Sequence, residues 1–281
     1  MRFVYATDLH GDVKKYADVL SFAIDHDIKL IHIGADILPK GPALLKLQKS
    51  FVKGFLKNFY SECEQRGIEV LCFWGNDDLY TRKKYFLKYG NLLEQDIGHM
   101  IGEYEFRAYG FVPDYRFPLK TACKLDYPGW KLDEPYSSFP IDVFENGIHR
   151  IIDVERYFEM KGTIQDDLKK IKGHRKMVMA IHCPPSGCEL DICIRGWTPK
   201  GRRRLKRVGS RSIREWIERE QPLLVLCGHI HESPEVLNVW KSSIGKTLII
   251  QPGQPPAHEG TNMVYIEILP DKVQAHLVTK R

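Results

Sequence analysis

The chain has 281 residues, and its 43% hydrophobic and 28% charged content is that of an ordinary globular protein. Its 42 lysines and arginines exceed its 36 aspartates and glutamates, and the formal charge of +6 suits an anionic ligand without identifying one. No apolar run approaches the ~20 residues of a membrane helix, strand-like residues follow Met1 directly, and the seven cysteines are an odd number. We therefore expect a cytoplasmic protein with no membrane partner.

The first quarter of the chain alternates strand and helix patterns. Continuous apolar runs predict buried strands at residues 3–7, 30–33 and 68–74. Apolar positions at helical spacing predict helices at residues 13–24 and 44–59. This alternation predicts a parallel, right-handed, layered α/β core.

Residues 112–147 have a different character, because five prolines punctuate an aromatic-rich segment with little periodicity. The segment is predicted to be either an excursion over the active-site face or a lid. It has too little continuous apolar pattern for a domain of its own. We therefore predict a single domain, residues 1–281, that carries this insert.

The second half of the chain returns to alternating patterns. Helices are predicted at residues 164–171 and 210–221, and a buried strand at residues 177–181. Residues 182–208 are predicted to form a loop, whose basic run at residues 202–207 is either a solvated surface or a phosphate-collecting arm. Later strands are expected at residues 247–250, 263–269 and 273–278.

A stretch of nine residues, 223–231, has the clearest functional pattern. Its five apolar residues predict a short buried strand, which Gly228 ends. Side chains two positions apart on extended backbone point to the same side, so His229 and His231 are expected to face one space. Open α/β sheets bind their ligands at such carboxyl ends of strands.

Four other strand ends also carry side chains that bind metals. The donors that follow the five strands are Asp8 and His10, Asp36, Asn76, His182, and His229 with His231. Oxygen and nitrogen donors without a thiolate suit borderline divalent ions such as Mn, Fe, Zn, Co or Ni, and manganese is our first choice. Seven donors are too many for one tetrahedral zinc, and they fit two ions that share a bridging carboxylate.

The order and separation of these motifs resemble those of the calcineurin-like metallophosphoesterases. The motifs that carry the resemblance are Asp8-x-His10, Gly34-x-Asp36, Gly75-Asn76, His182 and Gly228-His229-x-His231. The sequence is most similar to the group described as Icc-related predicted phosphoesterases. That likeness adds His182-x-Pro184-Pro185, Gly209-Ser210, Glu232-Ser233, Gly245-x-Thr247 and Pro252-Gly253.

The resemblance implies a four-layer α/β/β/α sandwich, in which two central mixed sheets lie between outer helices. It implies two divalent metal ions and hydrolysis of a phosphoric ester by a hydroxide that bridges them. The implied ligands are Asp8, His10, Asp36 and His231 for one ion, and Asp36, Asn76, His182 and His229 for the other. Asp36, at the bridge, is therefore a candidate catalytic residue.

The sequence departs from the family pattern at two positions. Ala35 separates Gly34 from Asp36, where many members have glycine directly before the aspartate. Asp77 stands where the family has a histidine that is thought to protonate the leaving group. A carboxylate with a reference pKa of about 3.9 donates a proton poorly at neutral pH, unless a neighbour such as Asp78 raises its pKa.

Several functions therefore stay open at this point. Our first choice is a dinuclear metal-dependent phosphoesterase that hydrolyses phosphodiesters with good leaving groups. The alternative enzyme is a phosphomonoesterase or nucleotide hydrolase with Asp77 as the acid. A catalytically weak metal-binding scaffold for a protein partner is the alternative of another class, and only the basic run favours a nuclease. Contacts with a small phosphate-ester substrate are predicted for Asn76, Arg195 and Arg202.

Overall fold

The computed structural model describes residues 1–79, 90–144, 147–256 and 259–281. In chain order, the strands are β1 (Arg2–Ala6), β2 (Leu30–Ile33), β3 (Glu69–Cys72), β4 (Asn91–Leu92), β5 (His99–Ile101), β6 (Tyr104–Tyr109), β7 (Val112–Pro113), β8 (Cys123–Lys124), β9 (Ile141–Phe144), β10 (Gly147–Arg150), β11 (Met177–Ile181), β12 (Ile192–Trp197), β13 (Arg203–Arg207), β14 (Leu224–Leu226), β15 (Lys241–Ile244), β16 (Thr247–Ile250), β17 (Thr261–Ile268) and β18 (Val273–Lys280). The helices are α1 (Val13–Asp25), α2 (Leu44–Phe51), α3 (Lys57–Gln65), α4 (Val154–Lys161), α5 (Ile164–Leu168), α6 (Arg211–Glu220) and α7 (Ser233–Leu237).

Two six-stranded mixed sheets form the centre of the structure. The first has the strand order β18-β17-β1-β2-β3-β4, in which β1 to β4 are parallel, β17 is antiparallel to β1, and β18 is antiparallel to β17. The second has the order β15-β16-β14-β11-β6-β5, with four parallel strands between two antiparallel edges. The predicted α/β class is confirmed.

The side chains of each central strand are buried on both faces. Along β1, Phe3 and Tyr5 pack between the two sheets, whereas Val4 packs under the helices that cover the first sheet. Along β11, Val178 joins the same intersheet core, and Met179 packs under the helices on the far side. Because side chains alternate across a strand, this burial requires four layers, α/β/β/α.

The predicted helix at residues 44–59 is interrupted by a π-helical turn, Val52–Leu56, which joins α2 to α3. Phe51, Phe55 and Phe59 recur every fourth residue, and their ring centroids lie 6.0, 5.3 and 5.2 Å from that of Tyr16. In a regular helix of about 3.6 residues per turn, this spacing drifts around the axis. The wider π turn reduces the drift, so all three rings reach the same tyrosine.

The predicted loop at residues 182–208 is wrong in its second half. Strands β12 and β13 form an antiparallel hairpin, in which Ile194 pairs with Leu205. The basic run therefore lies largely on β13, and the sequence concealed this strand because both of its faces carry charged residues. Three of its cations form ion pairs within the chain: Arg203 with Glu235 at 2.6 Å, Lys206 with Asp133 at 2.8 Å, and Arg207 with Asp191 at 2.8 Å.

The described part of the insert at residues 112–147 is built from short strands. Strand β7 pairs with β8 in parallel, and Leu119 forms a single bridge with Ile141 of β9. The insert is joined to the rest of the chain by a buried carboxylate. Asp126 accepts hydrogen bonds from the hydroxyl of Ser210 and the backbone N–H of Arg211, at 2.5 and 2.8 Å. Among the described helices, none is long and apolar enough to span a membrane.

Candidate metal centre and active site

All seven predicted donors lie at one edge of the molecule, where strands of both sheets end. The carboxyl ends of β1, β2 and β3 supply Asp8, His10, Asp36 and Asn76, and those of β11 and β14 supply His182, His229 and His231. The two sheets meet through the backbone there, since the N–H of Gly228 donates to the carbonyl of His182 at 3.0 Å.

One group of donors consists of Asp8, His10 and His231, whose ligand atoms lie within 4.8 Å of one another. The Nε2 atoms of the two histidines are 3.0 Å apart. The Nε2 atom of His231 is 3.3 Å from Asp8 Oδ1. Three donor atoms therefore converge on one small volume.

A second group adjoins the first. The Nε2 atom of His182 lies 3.3 Å from Asp36 Oδ2 and 2.9 Å from Asn76 Oδ1. The ring of His229 lies edge-on to that of His182, with 5.0 Å between centroids. Ligand atoms of Asp8, Asp36 and His182 also lie within 4.8 Å of one another, so the two groups share one continuous site.

A left-handed backbone conformation at four of the donors directs their side chains toward the site. Asp8, His10, Asp36 and His229 have φ angles of 56°, 45°, 53° and 71°. This conformation costs a residue with a side chain about 1–2 kcal/mol, and such strain clusters at functional sites. His229 therefore does not reach the site on extended backbone as predicted, although it and His231 line the same cavity. The rings point to different groups of donors.

Asp78 is a buried carboxylate that links two of the loops that carry the donors. Asp78 accepts hydrogen bonds from the backbone N–H groups of Ile37, Leu38 and Gly75, at 3.1, 2.8 and 3.0 Å. Burial, followed by the charge of Asp36, raises the pKa of Asp78 to about 7. Asp78 therefore joins the loop after β2 to the loop after β3, which sets the separation of the donors on them.

Two glycines leave room for the donor carboxylates. A Cβ at Gly75 would lie 2.3 Å from Asp36 Oδ1, and a Cβ at Gly228 would lie 2.4 Å from Asp8 Oδ2. No side chain fits at those distances without displacing a carboxylate. The Gly-Asn and Gly-His pairs of the sequence therefore have a steric basis.

The electrostatics of the site favour a bound cation. Burial, followed by the negative charge of Asp77, raises the pKa of Asp36 above its usual range. Burial lowers the pKa values of His10 and His229 to about 3, which keeps both imidazoles in the neutral form that binds metal. For the other two histidines burial is outweighed: the charge of Asp36 raises the pKa of His182 to about 9, and Asp8 raises the pKa of His231 above its usual value. Crowded carboxylates that favour positive charge on their neighbours form a donor set that a divalent cation stabilises.

The ring nitrogens that face one another are a further sign that the donors fit a metal. The Nε2 atoms of His10 and His231 lie 3.0 Å apart, and that of His182 lies 2.9 Å from Asn76 Oδ1. Nε2 of a neutral imidazole is a common metal ligand, and a cation between such atoms would satisfy several of them at once. The carboxylate, amide and imidazole donors present here fit two borderline divalent ions.

Asp77 is held by a lysine that the sequence pattern does not single out. Lys40 Nζ lies 2.5 Å from Asp77 Oδ2, and the backbone N–H of Asp77 donates to Asp36 Oδ1 at 2.8 Å. Burial raises the pKa of Asp77, but the charge and hydrogen bond of Lys40 outweigh burial and hold the pKa below its usual range. The carboxylate is therefore ionised at neutral pH.

The insert contributes a second residue that the motifs miss. Tyr115 accepts a hydrogen bond through its hydroxyl from Asn76 Nδ2 at 3.3 Å, and its ring centroid lies 6.1 Å from that of His229. A cavity of about 720 Å³ extends from the donors along this insert to the β12–β13 hairpin. Arg195 lines the cavity, whereas Arg202 lies in the exposed turn of the hairpin and does not.

Comparisons with known proteins agree with this geometry. A family model described as Calcineurin-like phosphoesterase matches residues 1–233. A comparison with curated proteins gives no match. A solved structure from Thermus thermophilus is 13% identical, with a TM-score of 0.51 over 98% of this chain and 97% of that chain. A dimetal phosphatase from Danio rerio is 10% identical, with a TM-score of 0.52 over 99% and 98%.

At such low identity, the solved structures show the shared fold alone. The family model covers most of the chain and all seven donors, and it confirms the resemblance predicted from the motifs. The chain belongs to the calcineurin-like phosphoesterase family and is a metal-dependent phosphoric ester hydrolase.

Proposed function

We propose that this chain hydrolyses phosphodiesters with two divalent metal ions, manganese being the first choice. The proposed ligands are Asp8, His10, Asp36 and His231 for one ion, and Asp36, Asn76, His182 and His229 for the other. When bound, the two ions supply a hydroxide nucleophile and offset the charge on the phosphate oxygens. The remaining steps depend on how the chain holds substrate and leaving group.

The preference for diesters rests on one observation, the contact between Lys40 and Asp77. An alkoxide leaving group needs a proton in the transition state, and an ionised carboxylate cannot donate one. Aryl and other stable leaving groups need that proton much less. For the alternative, a monoesterase with Asp77 as acid, the carboxyl would have to hold a proton beside a lysine ammonium.

Asp36 and Asn76 have proposed roles that their contacts support. The backbone N–H of Asp77 orients one carboxylate oxygen of Asp36, and the other faces His182. A carboxylate held at both oxygens is suited to bridge two ions. Asn76 is oriented by Tyr115 through its amide nitrogen, so its oxygen faces the site and its N–H₂ group stays near the cavity for a phosphate oxygen.

We also propose that the chain folds as one domain, residues 1–281. The segment beyond residue 233 supplies β17, which pairs with β1 in the register Arg2 to Glu267. The first sheet is therefore completed by the C-terminal strands. The insert at residues 112–147 is proposed to form a wall of the site, because Tyr115 contacts Asn76.

The test compares an aryl phosphodiester with an alkyl phosphomonoester, whose alkoxide leaving group needs a proton, using protein stripped of metal and reconstituted with manganese. We expect diester hydrolysis, and we expect its loss in Asp36→Ala. Asp77→His should gain monoesterase activity because it restores a proton donor, whereas Asp77→Asn, its matched control, should not.

Two outcomes would contradict the proposal. Wild-type hydrolysis of the monoester at the same efficiency as the diester, with loss of both in Asp77→Asn, would make Asp77 the acid. Binding of two metal ions without hydrolysis of either ester would favour a metal-binding scaffold for a protein partner.

A further inference from the structure

We propose that the cavity beside the metal donors is a subsite for an aromatic group of the ester that carries its own anion, a carboxylate or a phosphate. This inference rests on the proposed phosphodiesterase function and names the class of its substrate. The cavity has a volume of about 720 Å³, far more than one phosphate group fills. A large part of it must therefore accept another portion of the substrate.

One wall of the cavity carries aromatic side chains. Tyr115, Phe117 and Trp130 line it, and the centroids of the first two rings are 5.7 Å apart. The ring of Tyr115 also approaches His229 at 6.1 Å, so this wall begins at the donors themselves. Aromatic side chains bind a planar ring by stacked or edge-on contact, with little loss of conformational freedom.

Ion pairs hold the wall in place. Lys120 pairs with Asp114 at 2.8 Å, with both side chains buried, and its ammonium lies 4.7 Å from the centroid of Tyr115. Lys206 of the hairpin pairs with Asp133 at 2.8 Å and with Glu134 at 2.5 Å. The insert and the hairpin are therefore joined, and the cavity between them is formed before any ligand arrives.

The hairpin side of the cavity presents a guanidinium. Arg195 lines the cavity, and its Nε atom is buried without a hydrogen-bond partner. Of the other cations that line it, Lys40, Lys206 and Arg207 each form an ion pair, and Lys131 is exposed. The planar fork of an arginine binds a carboxylate or a phosphate through paired N–H donors. Arg195 therefore has donor capacity that an anionic group on the ligand can satisfy.

An aromatic surface and a guanidinium with an unpaired Nε define the ligand. After the hydrogen bonds of Lys206, the charge of this guanidinium also lowers the pKa values of Asp133 and Glu134, so an anion at Arg195 shares it with these two carboxylates. An ester that fits has a phosphorus centre at the donors, a ring against Tyr115 and Trp130, and an anion on that ring at Arg195. A methyl or other small alkyl ester does not fill the cavity, so water stays in it and Arg195 Nε keeps no hydrogen-bond partner.

Four stable phosphonates test this inference by calorimetry on the manganese-reconstituted protein: methylphosphonate, phenylphosphonate, 4-phosphonobenzoate and benzene-1,4-diphosphonate. We expect phenylphosphonate to bind roughly 3- to 10-fold more tightly than methylphosphonate, because of ring contacts. The second anion should add about tenfold. The tighter-binding of the two ligands that carry a second anionic group identifies that anion as a carboxylate or a phosphate.

Four variants test the aromatic wall and the guanidinium of the subsite separately. Trp130→Ala should bring the ratio of phenylphosphonate to methylphosphonate affinity close to one, and Arg195→Met should remove the gain from the second anion. Arg195→Lys keeps the charge without the fork, so it should retain part of that gain. Arg204→Met changes an exposed arginine of the same hairpin that does not line the cavity, and it should keep both ratios.

The inference and the proposed function fail in different ways. Equal affinity for all four phosphonates in a protein that hydrolyses aryl diesters would overturn the subsite and leave the phosphodiesterase intact. The expected ratios in a protein that hydrolyses no diester would support the subsite and overturn the phosphodiesterase. A gain from the second anion that persists in Arg195→Met would refute the role of the guanidinium.

Discussion

The donor edge and the cavity wall are built in different ways. The donor edge consists of the residues that follow five strands, with Asp8, Asp36 and His229 held in left-handed conformations by the backbone around them. The cavity wall consists of the insert and the β12–β13 hairpin, joined by Lys206 to Asp133 and Glu134. The first sets the chemistry, and the second is suited to select the substrate.

The two regions also differ in how much change they tolerate. Donor positions are fixed by the ends of buried strands, so moving one of them disturbs the whole sheet edge. The cavity wall is held in place largely by contacts between side chains, and these side chains can be substituted one at a time. The predictions below test this difference, and they run from the largest expected effect to the smallest.

The largest effect is expected at the donor edge. Asp36→Asn removes the charge from the proposed bridge, and diesterase activity should fall by roughly 10³-fold or more. Metal content measured by mass spectrometry should fall below two ions per chain. Asp25→Asn, an exposed change on α1, is the control and should keep both values. Full activity in Asp36→Asn would remove this residue from the reaction.

The next effect is expected in the wall. Lys120→Met leaves Asp114 as a buried charge without its cation, since the two side chains are 0% and 2% exposed. Breaking a buried pair in this way costs about 3–5 kcal/mol, which should appear as a lower free energy of unfolding in urea.

Adding Asp114→Asn to Lys120→Met should recover part of this stability, because the uncompensated charge is gone. Manganese bound by the folded single variant should stay at the wild-type stoichiometry. Loss of metal in the single variant would show that the donor edge depends on the cavity wall for its structure.

A steric change at the donor edge should act on metal affinity. Gly75→Ala places a Cβ 2.3 Å from Asp36 Oδ1 and must displace that carboxylate. We expect a 10- to 100-fold weaker manganese affinity, roughly the effect of disturbing an orienting partner of a ligand.

Gly54→Ala is the matched control, because nothing lies within 4 Å of its added Cβ. It should leave metal affinity unchanged and raise the free energy of unfolding by about 0.5–1 kcal/mol. Equal metal affinities in the two variants would contradict the steric role of Gly75.

The smallest effect is expected at the ion pairs between hairpin and insert. Lys206→Met should lower the free energy of unfolding by at most about 1 kcal/mol, since pairs with exposed partners contribute little. Affinity for phenylphosphonate should fall while affinity for methylphosphonate is kept, because only the former uses the wall. A parallel loss of both affinities would show that the wall also positions the donors.

The sequence alone identified the donor edge because its signals are local. A buried apolar run that ends in Asp-x-His or Gly-His-x-His marks the carboxyl end of a strand, and parallel strands bring these ends to one edge. The α/β class followed from the alternation of strand and helix patterns, and the family followed from the motifs. The hairpin β12–β13 was missed, because β13 carries charges on both faces and neither strand shows an alternation of apolar and polar residues.

Tertiary structure decided the environment of those donors. Lys40 and Asp77 are 37 positions apart and Asn76 and Tyr115 are 39 apart, yet each pair is in contact. The ionised state of Asp77 depends on the first contact, and the start of the aromatic wall depends on the second. No local pattern encodes either one, because a side-chain contact between distant segments is fixed only when the sheets pack.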